Sequence, residues 1–213
     1  MAVRVDLLIS LDGFATATDQ TPENPFGPDW TRLVAAYVAT RTFRERVLKD
    51  TSGKGTTGLD DEYAKDYFTN IGSEIMGAGK FGLHNFPNDP HWNGWWGDEP
   101  PFHCPVFVLT HTPRPSVEMA GGTTFHFLAT DPIEALQRAE KAANGKDVRI
   151  GGGPTTVRGY LKAGLVDCLH VAIAPILLGT GIRLWDELRG LEAGYTVKVE
   201  TAESGTVHLT FQR

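Results

Sequence analysis

The stretch Asp147-Val148-Arg149-Ile150-Gly151-Gly152-Gly153-Pro154-Thr155-Thr156-Val157-Arg158-Gly159-Tyr160-Leu161-Lys162-Ala163-Gly164 decides the fold class. Asp147 to Ile150 is a short β-rich run, and three glycines separate it from a helical pattern that ends near Ala163, with Gly164 as its C-terminal stop. Residues without a Cβ let a bulky ligand approach the backbone closely. The N–H groups at the helix start, around Thr155 and Thr156, suit a pyrophosphate, and the two hydroxyls add donors. A tight strand-to-helix turn with close packing explains the same glycines equally well.

Working outward, the same alternation fills most of the chain. Val3 to Ser10 is an apolar strand interrupted by Asp6 and followed by Leu11-Asp12-Gly13. Phe14 to Asp29 is a loop, and a helical pattern is expected from Trp30 to Lys49. Asp60-Asp61-Glu62 loads the start of a second helix with acids, as the helix dipole favours. Glu74-Ile75-Met76 and Val106 to Leu109 are strands, the latter ending in Thr110-His111-Thr112. Thr124 to Leu128 is another, and Asp131-Pro132 opens a helix as N-cap and first helical residue. Cys168 to Ile176 is a strand, and Tyr195 to Arg213 is a β-hairpin turning at Glu203-Ser204-Gly205. Strands alternating with helices, closed by an antiparallel hairpin, predict an α/β domain with a mixed sheet.

A second strand–glycine junction, Gly77-Ala78-Gly79-Lys80-Phe81-Gly82, matches the spacing of a dinucleotide fingerprint, but a Pro- and Trp-rich loop follows where a Rossmann unit needs a helix and a second strand. A phosphate role remains, because Lys80 in a first helical turn is disfavoured unless an anion is near. The loop over residues 85–103 contains Trp92, Trp95 and Trp96. Loops of this length within a domain are usually functional or cover something. These indoles either roof a pocket for a planar substrate or fill a peripheral core.

Composition narrows the function classes. The 213 residues include 24 glycines, 26 acidic and 20 basic residues, for a formal charge of −6. The acidic balance excludes a general nucleic-acid binder and a protein held to anionic lipid by charge. Two cysteines 64 positions apart make no disulfide framework, and no signal-peptide core or membrane-length apolar run is present. A single domain over residues 1–213 in the cytoplasm is expected. The seven histidines have no metal-ligand spacing, so no metal site is assigned, and all but His111 read as surface or packing residues.

Taken in order, several segments resemble the dihydrofolate reductase superfamily, in the branch typified by the C-terminal reductase domain of the riboflavin-biosynthesis bifunctional deaminase/reductase. They are Ser10 to Phe14, Ile75 to Phe81, Pro105 to His111, Gly151 to Gly153, and Gly164 to Asp167 through Pro175 to Gly181. The resemblance implies a three-layer α/β fold with a mixed, mostly parallel eight-stranded sheet flanked by helices. It implies reduced NADP as hydride donor, lying across the carboxyl ends of the strands. On the matching positions it places Gly77 and Lys80 near the adenosine phosphates and Thr110, His111 and Thr112 beside the 2′-phosphate. It also places Gly151, Gly152, Gly153, Thr155 and Thr156 at the pyrophosphate, and Ser10, Asp12 and Gly13 beside the nicotinamide and substrate. Phe14 to Asp29 becomes the loop that closes over the nicotinamide. Ala78 stands where the family often has arginine, leaving Lys80, His111 and Arg114 to favour NADPH over NADH. The deaminase half of the riboflavin enzyme is excluded, since neither its His-x-Glu nor its Pro-Cys-x-x-Cys motif occurs.

The expected activity is therefore NADPH-dependent hydride transfer to a small planar heterocycle or a carbonyl or imine compound, similar to 5-amino-6-(5-phosphoribosylamino)uracil reductase. Asp12 is the candidate catalytic acid, Asp29 and Trp96 the candidate substrate contacts, and Glu99 a further carboxylate to consider. The competing expectation is a nucleotide- or flavin-binding protein that keeps the fold without turnover. A homodimer is compatible with the resemblance.

Overall fold

The segment 147–164 forms the strand and helix its pattern predicts, and that strand lies at the centre of the sheet. The computed structural model describes residues 1–16 and 19–213. Along the chain the elements are β1 (Val3–Ser10), β2 (Phe14–Thr16), α1 (Trp30–Leu33), α2 (Ala35–Ala39), α3 (Arg41–Arg46), α4 (Leu59–Tyr67), β3 (Ile71–Gly77) and α5 (Ala78–Gly82). There follow β4 (Pro105–Leu109), β5 (Val117–Glu118), β6 (Thr124–Leu128), α6 (Pro132–Ala143), β7 (Asp147–Gly152), α7 (Pro154–Lys162), β8 (Cys168–Ala174), β9 (Ile182–Arg183), β10 (Thr196–Thr201) and β11 (Val207–Gln212).

The main sheet has nine strands in the order β10-β11-β8-β1-β7-β3-β4-β6-β5. From β8 to β6 the pairings are parallel, while β11–β8, β10–β11 and β5–β6 are antiparallel. The mixed, mostly parallel α/β architecture is as expected. The strand beyond the expected eight is β5, two residues at one edge. A separate two-stranded sheet pairs β2 with β9.

Alternation gives the central strands two unlike faces. On one, Val3, Val5, Ile9, Val148, Ile150, Leu169 and Val171 pack against Leu136 and Ala139 of α6 and Val157 and Leu161 of α7. On the other, Arg4 and Asp6 of β1, Glu74 of β3, Arg149 of β7 and His170 of β8 stand in register, with Arg4 opposite Arg149, Arg149 opposite Glu74 and Asp6 opposite His170. Tyr63, Asp66 and the Tyr67 carbonyl of α4 meet this polar face. A second apolar cluster of Met76, Phe81, Phe86, Val106, Val108, Phe125 and Phe127 receives Trp92, Trp96 and Phe102 from the Trp-rich segment.

The local signals mostly act as read. Asp131 caps α6, its Oδ1 accepting from the N–H groups of Ile133 (2.8 Å) and Glu134 (3.0 Å). Gly164, at φ +69°, turns the chain out of α7. The helix expected over Trp30 to Lys49 is instead three short helices. Thr40 is extended (φ −65°, ψ 148°) and its hydroxyl caps α3, so a polar capping residue divides a pattern that looks continuous. No helix among the described residues is long and apolar enough to cross a membrane.

Replacing Asp131 with alanine leaves two α6 donors without their acceptor. Asp131→Ala is expected to lower stability by about 1 kcal/mol, read as a lower urea midpoint with an unchanged slope.

Candidate active site

A cavity of about 560 Å³ opens over the polar sheet face, between α1 to α4 and the carboxyl ends of β3 and β7. Gly77, Lys80, Gly151, Gly152, Gly153, Thr155, Thr156 and Trp96 all line it, so the two glycine junctions, far apart in sequence, meet at one site. An aromatic wall runs from Trp30 to Phe26 (5.3 Å between centroids), on to Trp95 (4.9 Å) and to Trp96 (4.4 Å). Trp95 Nε1 donates to the Lys80 carbonyl and Trp92 Nε1 to the Phe81 carbonyl, which fixes the Trp-rich segment to α5. Trp92 and Trp96 pack on the second core, and Trp95 and Trp96 border the cavity.

The glycines have different physical reasons. A Cβ on Gly151 would overlap the Glu74 carboxylate beneath it, and one on Gly77 would run into Thr156 Oγ1. Gly152 has φ +110°, a conformation L side chains rarely adopt. Gly79 has nothing within 4 Å of its missing Cβ, so that side faces open space. At α7 the N-cap Gly153 supplies no side-chain bond and Pro154 has no N–H, so the first-turn N–H groups of Thr155 and Thr156 have no partner within the helix. By contrast α5 is only five residues long, too short to act as an anion-binding helix start.

Charges under the glycines are paired. Arg149 Nε lies 2.9 Å from Glu74 Oε2, its Nη2 makes a second bond to the same oxygen, and its Nη1 donates to the Tyr67 carbonyl at 2.6 Å. The guanidinium lies 3.7 Å over the Tyr67 ring. Burial disfavours the Arg149 charge, but Glu74 beside it outweighs that and holds the group more firmly protonated than usual. Lys80 Nζ donates to the Gly151 carbonyl and lies 3.5 Å from Glu74 Oε1. The anion anticipated for Lys80 is thus an internal carboxylate. Burial lowers the Lys80 pKa against the pull of Glu74.

Other anticipated residues lie elsewhere. Ser10 is buried, and Asp12 is absent from the cavity wall. The Asp12 carboxylate accepts from Ser10 Oγ (2.6 Å), Leu178 N (3.1 Å) and Gly179 N (2.7 Å). Burial raises its pKa, but these donors outweigh it and hold the group at about 2. Asp12 therefore ties the turn after β1 to residues 178–179 instead of facing the cavity. Asp29 precedes α1 without a side-chain capping bond, pairs with Arg32 and does not line the cavity; its neighbour Trp30 does. Thr110, His111 and Thr112 follow β4 on the same sheet edge as Gly77, outside the cavity, with Thr110 Oγ1 accepting from Thr112 N. Arg114 is consumed by the carbonyls of Pro90 and Trp92 and stacks 4.4 Å over Phe127. Glu99 faces Lys49 at 3.4 Å. Of the loop expected to close over the site, residues 17 and 18 lie outside the described residues, while Gln20 and Phe26 line the cavity.

The cavity also holds residues that sequence reasoning passed over: Asp6, Asp60, Tyr63, Arg149, His170 and His208. His170 and His208, expected to serve at the surface or in packing, line the cavity, lie 2.9 Å apart nitrogen to nitrogen and stack on Tyr63. A signal for them existed, namely polar residues at alternate positions of strands that are otherwise apolar. No group of three metal-ligating side chains suited to an ion occurs among the described residues.

The arrangement is that of a dihydrofolate reductase-like α/β fold, with a cradle and chamber at the carboxyl edge of a mostly parallel sheet. The chain belongs to the RibD C-terminal domain family, whose model matches residues 1–208. It superposes on a Shewanella sp. PV-4 protein assigned to riboflavin biosynthesis with a TM-score of 0.63 at 19% identity, covering 100% of this chain and 99% of that one. For the deaminase/5-amino-6-(5-phosphoribosylamino)uracil reductase of Thermotoga maritima the score is 0.56 at 12% identity, covering 99% of this chain and 56% of that one. For the Enterococcus faecalis dihydrofolate reductase complexed with NADP(H) it is 0.50 at 13% identity, covering 100% and 96%. At such identities the likeness is one of fold. No curated protein matches the sequence. Family membership supports an oxidoreductase of the riboflavin-pathway type.

Glu74→Leu strands Arg149 and Lys80 as buried cations and is expected to cost about 3–5 kcal/mol in urea unfolding, much of it recovered in Glu74→Leu/Arg149→Met. Asp12→Asn turns an amide donor toward the N–H groups of residues 178–179 and should be less stable at neutral pH. Because the Asp12 pKa is depressed from 3.8 to about 2, the gap to wild type is full above 3.8 and closes as pH falls through about 2.

Proposed function

We propose that this protein is an NADPH-dependent reductase acting on a small planar heterocycle or a carbonyl or imine compound, in the manner of 5-amino-6-(5-phosphoribosylamino)uracil reductase. The observation that carries the proposal is one continuous cavity joining a Cβ-poor cradle to an aromatic-walled chamber over a charged sheet face.

The residues present fit a dinucleotide. Gly151 to Gly153 and the free N–H groups of Thr155 and Thr156 would hold the pyrophosphate, and Gly79 leaves room beside it. Thr110, His111 and Thr112 would edge the adenosine, one strand over from Gly77. When bound, the reduced nicotinamide supplies the hydride. Trp30, Trp95 and Trp96 offer flat faces for a planar substrate and exclude water from it. Of the cations considered for the 2′-phosphate, Lys80 and Arg114 are engaged internally, and His111 alone is exposed. NADPH preference over NADH therefore rests on His111 and neighbouring hydroxyls and is modest. The working partner is a small molecule, and assembly as a homodimer is compatible with this role.

Purified protein is expected to oxidise NADPH when supplied with pterins, aminopyrimidines, quinones or nitroaromatics in a screen. Binding of NADPH with no oxidation by any of them would instead indicate a non-catalytic nucleotide-binding protein. In fluorescence titration NADPH should bind several-fold tighter than NADH. Gly79→Leu fills open space, keeps the fold and is expected to weaken NADPH about tenfold, the loss of roughly one charge-assisted contact.

A further inference from the structure

Two walls of the chamber are uncharged. On one side Trp95 and Trp96 stack at 27°, Phe26 meets Trp95 edge-on, and Trp30 stacks on Phe26 at 22°. On the other, α1 to α3 and the residue after them present Leu33, Val34, Tyr37, Phe43 and Val47. Tyr37 locks this side, meeting Phe43 edge-on at 4.9 Å and Tyr67 of α4 at 5.9 Å. None of these side chains offers a cation to a ligand.

The cations that do reach the cavity are already engaged. Arg149 gives two donors to Glu74 and a third to the Tyr67 carbonyl. Lys80 donates to the Gly151 carbonyl and faces Glu74 at 3.5 Å. Among the described residues lining the cavity, no lysine or arginine lacks a carboxylate partner. His170 and His208 meet the carboxylates of Asp6 and Asp60. His84 follows α5, on the cradle side, and is exposed. Around the helical wall, Arg32 pairs with Asp29, Arg44 pairs with Asp50, and Arg46 lies 5.6 Å over the Phe68 ring; none of the three lines the cavity.

The carboxylates are not outnumbered. Asp6 and Asp60 line the cavity and Glu74 lies beneath Gly151, against Lys80 and Arg149. Burial disfavours the Asp6 charge, but contact with His170, and Arg4 and Arg149 beyond it, outweigh that and keep the group ionised. A phosphate monoester carries about −1.5 to −2 charges at pH 7. Set in the chamber it would meet no free cation, lose its water, and stand in the same low-dielectric space as the cofactor phosphates of the cradle. A flat neutral ring meets none of these penalties and gains the aromatic faces.

We propose that the chamber selects an uncharged planar ring system bearing no phosphate or other anionic group, held between the indoles and the apolar helical wall. The inference rests on the reductase reading above and narrows it. A substrate of the 5-amino-6-(5-phosphoribosylamino)uracil kind would fit by its ring and be refused for its phosphate. The determinant is the helical wall, which is built without a cation. Ala36 of α2 stands half-buried in that wall, so a single residue there is placed to change the selection.

Riboflavin and FMN are matched probes, alike in ring and side chain and different only in the phosphate. Quenching of flavin fluorescence is titrated with the full chain while the cradle is filled by NADP+, or by inorganic pyrophosphate should NADP+ not bind, so that a phosphate has only the chamber to enter. Wild type should bind riboflavin at least about tenfold tighter than FMN. Ala36→Arg should erase or reverse that ratio through a charge-assisted contact, and Ala36→Met, similar in reach and uncharged, should keep it. FMN bound as tightly as riboflavin by wild type, or neither flavin bound, overturns the proposal whether or not a variant folds. A folded Ala36→Arg with the wild-type ratio overturns it too, and so does an equal shift in Ala36→Met, which would trace the selection to bulk. A wild type that binds NADPH and reduces no neutral ring compound sinks the reductase reading, while the flavin ratio still reports on the chamber.

Discussion

The buried pair of Glu74 and Arg149 sets the terms for everything above it. Moving two charges out of water costs several kcal/mol for each ion, and the pair persists only because every polar atom finds a partner. Glu74 Oε2 takes two bonds from Arg149, Oε1 faces Lys80, and the remaining guanidinium donor reaches the Tyr67 carbonyl. Each partner has a consequence elsewhere. The carboxylate occupies the space a Cβ at position 151 would need, so the glycine there is demanded from below, whatever lies above it. Lys80 is turned inward, and Tyr67 ties α4 to the sheet. Cradle, floor and roof are thus positioned by one ion pair.

The same pair divides the sheet into two kinds of surface. Behind it, the branched apolar side chains of β1, β7 and β8 supply the large core with α6 and α7. In front, the arginines are matched, Arg4 with Asp66 and Arg149 with Glu74, and His170 and His208 meet the carboxylates of Asp6 and Asp60. A planar ligand entering between this floor and the indole wall meets directed polar groups on one side and flat apolar faces on the other. On the proposed reading, that combination would orient a heterocycle as well as hold it.

The architecture was legible because each parallel strand announces itself locally. Ile150 and its neighbours, the Asp131 cap and the hairpin around Gly205 act over a few residues, where pattern and mechanism coincide. The site was legible only in its backbone half. Successive glycines before Pro154 signal a cradle, but the partner of Lys80 is decided by tertiary pairing. So is the role of Asp12, whose donors at 178 and 179 lie on a distant loop. The histidines were hidden differently. Each stands alone in its own strand, and only the antiparallel pairing of β8 with β11 and the parallel pairing of β8 with β1 lines up Asp6, His170 and His208. Asp6 breaking the first apolar run, with Arg149 and His170 at alternate positions of their own strands, was the local sign that this face is not core.

Electrostatic economy explains why the cradle is made of backbone. With a formal charge of −6, the chain has few cations to offer a polyphosphate, and the best placed ones are spent internally: Arg149 and Lys80 on Glu74, Arg114 on the Trp-rich segment. Under the proposed function, phosphate binding falls to N–H groups at the start of α7, which carry partial positive charge without a desolvation cost that must be matched. On the proposed reading, Arg149 and Lys80 share the Glu74 carboxylate beneath the glycines, and the backbone N–H groups above are left to meet the phosphates of the cofactor.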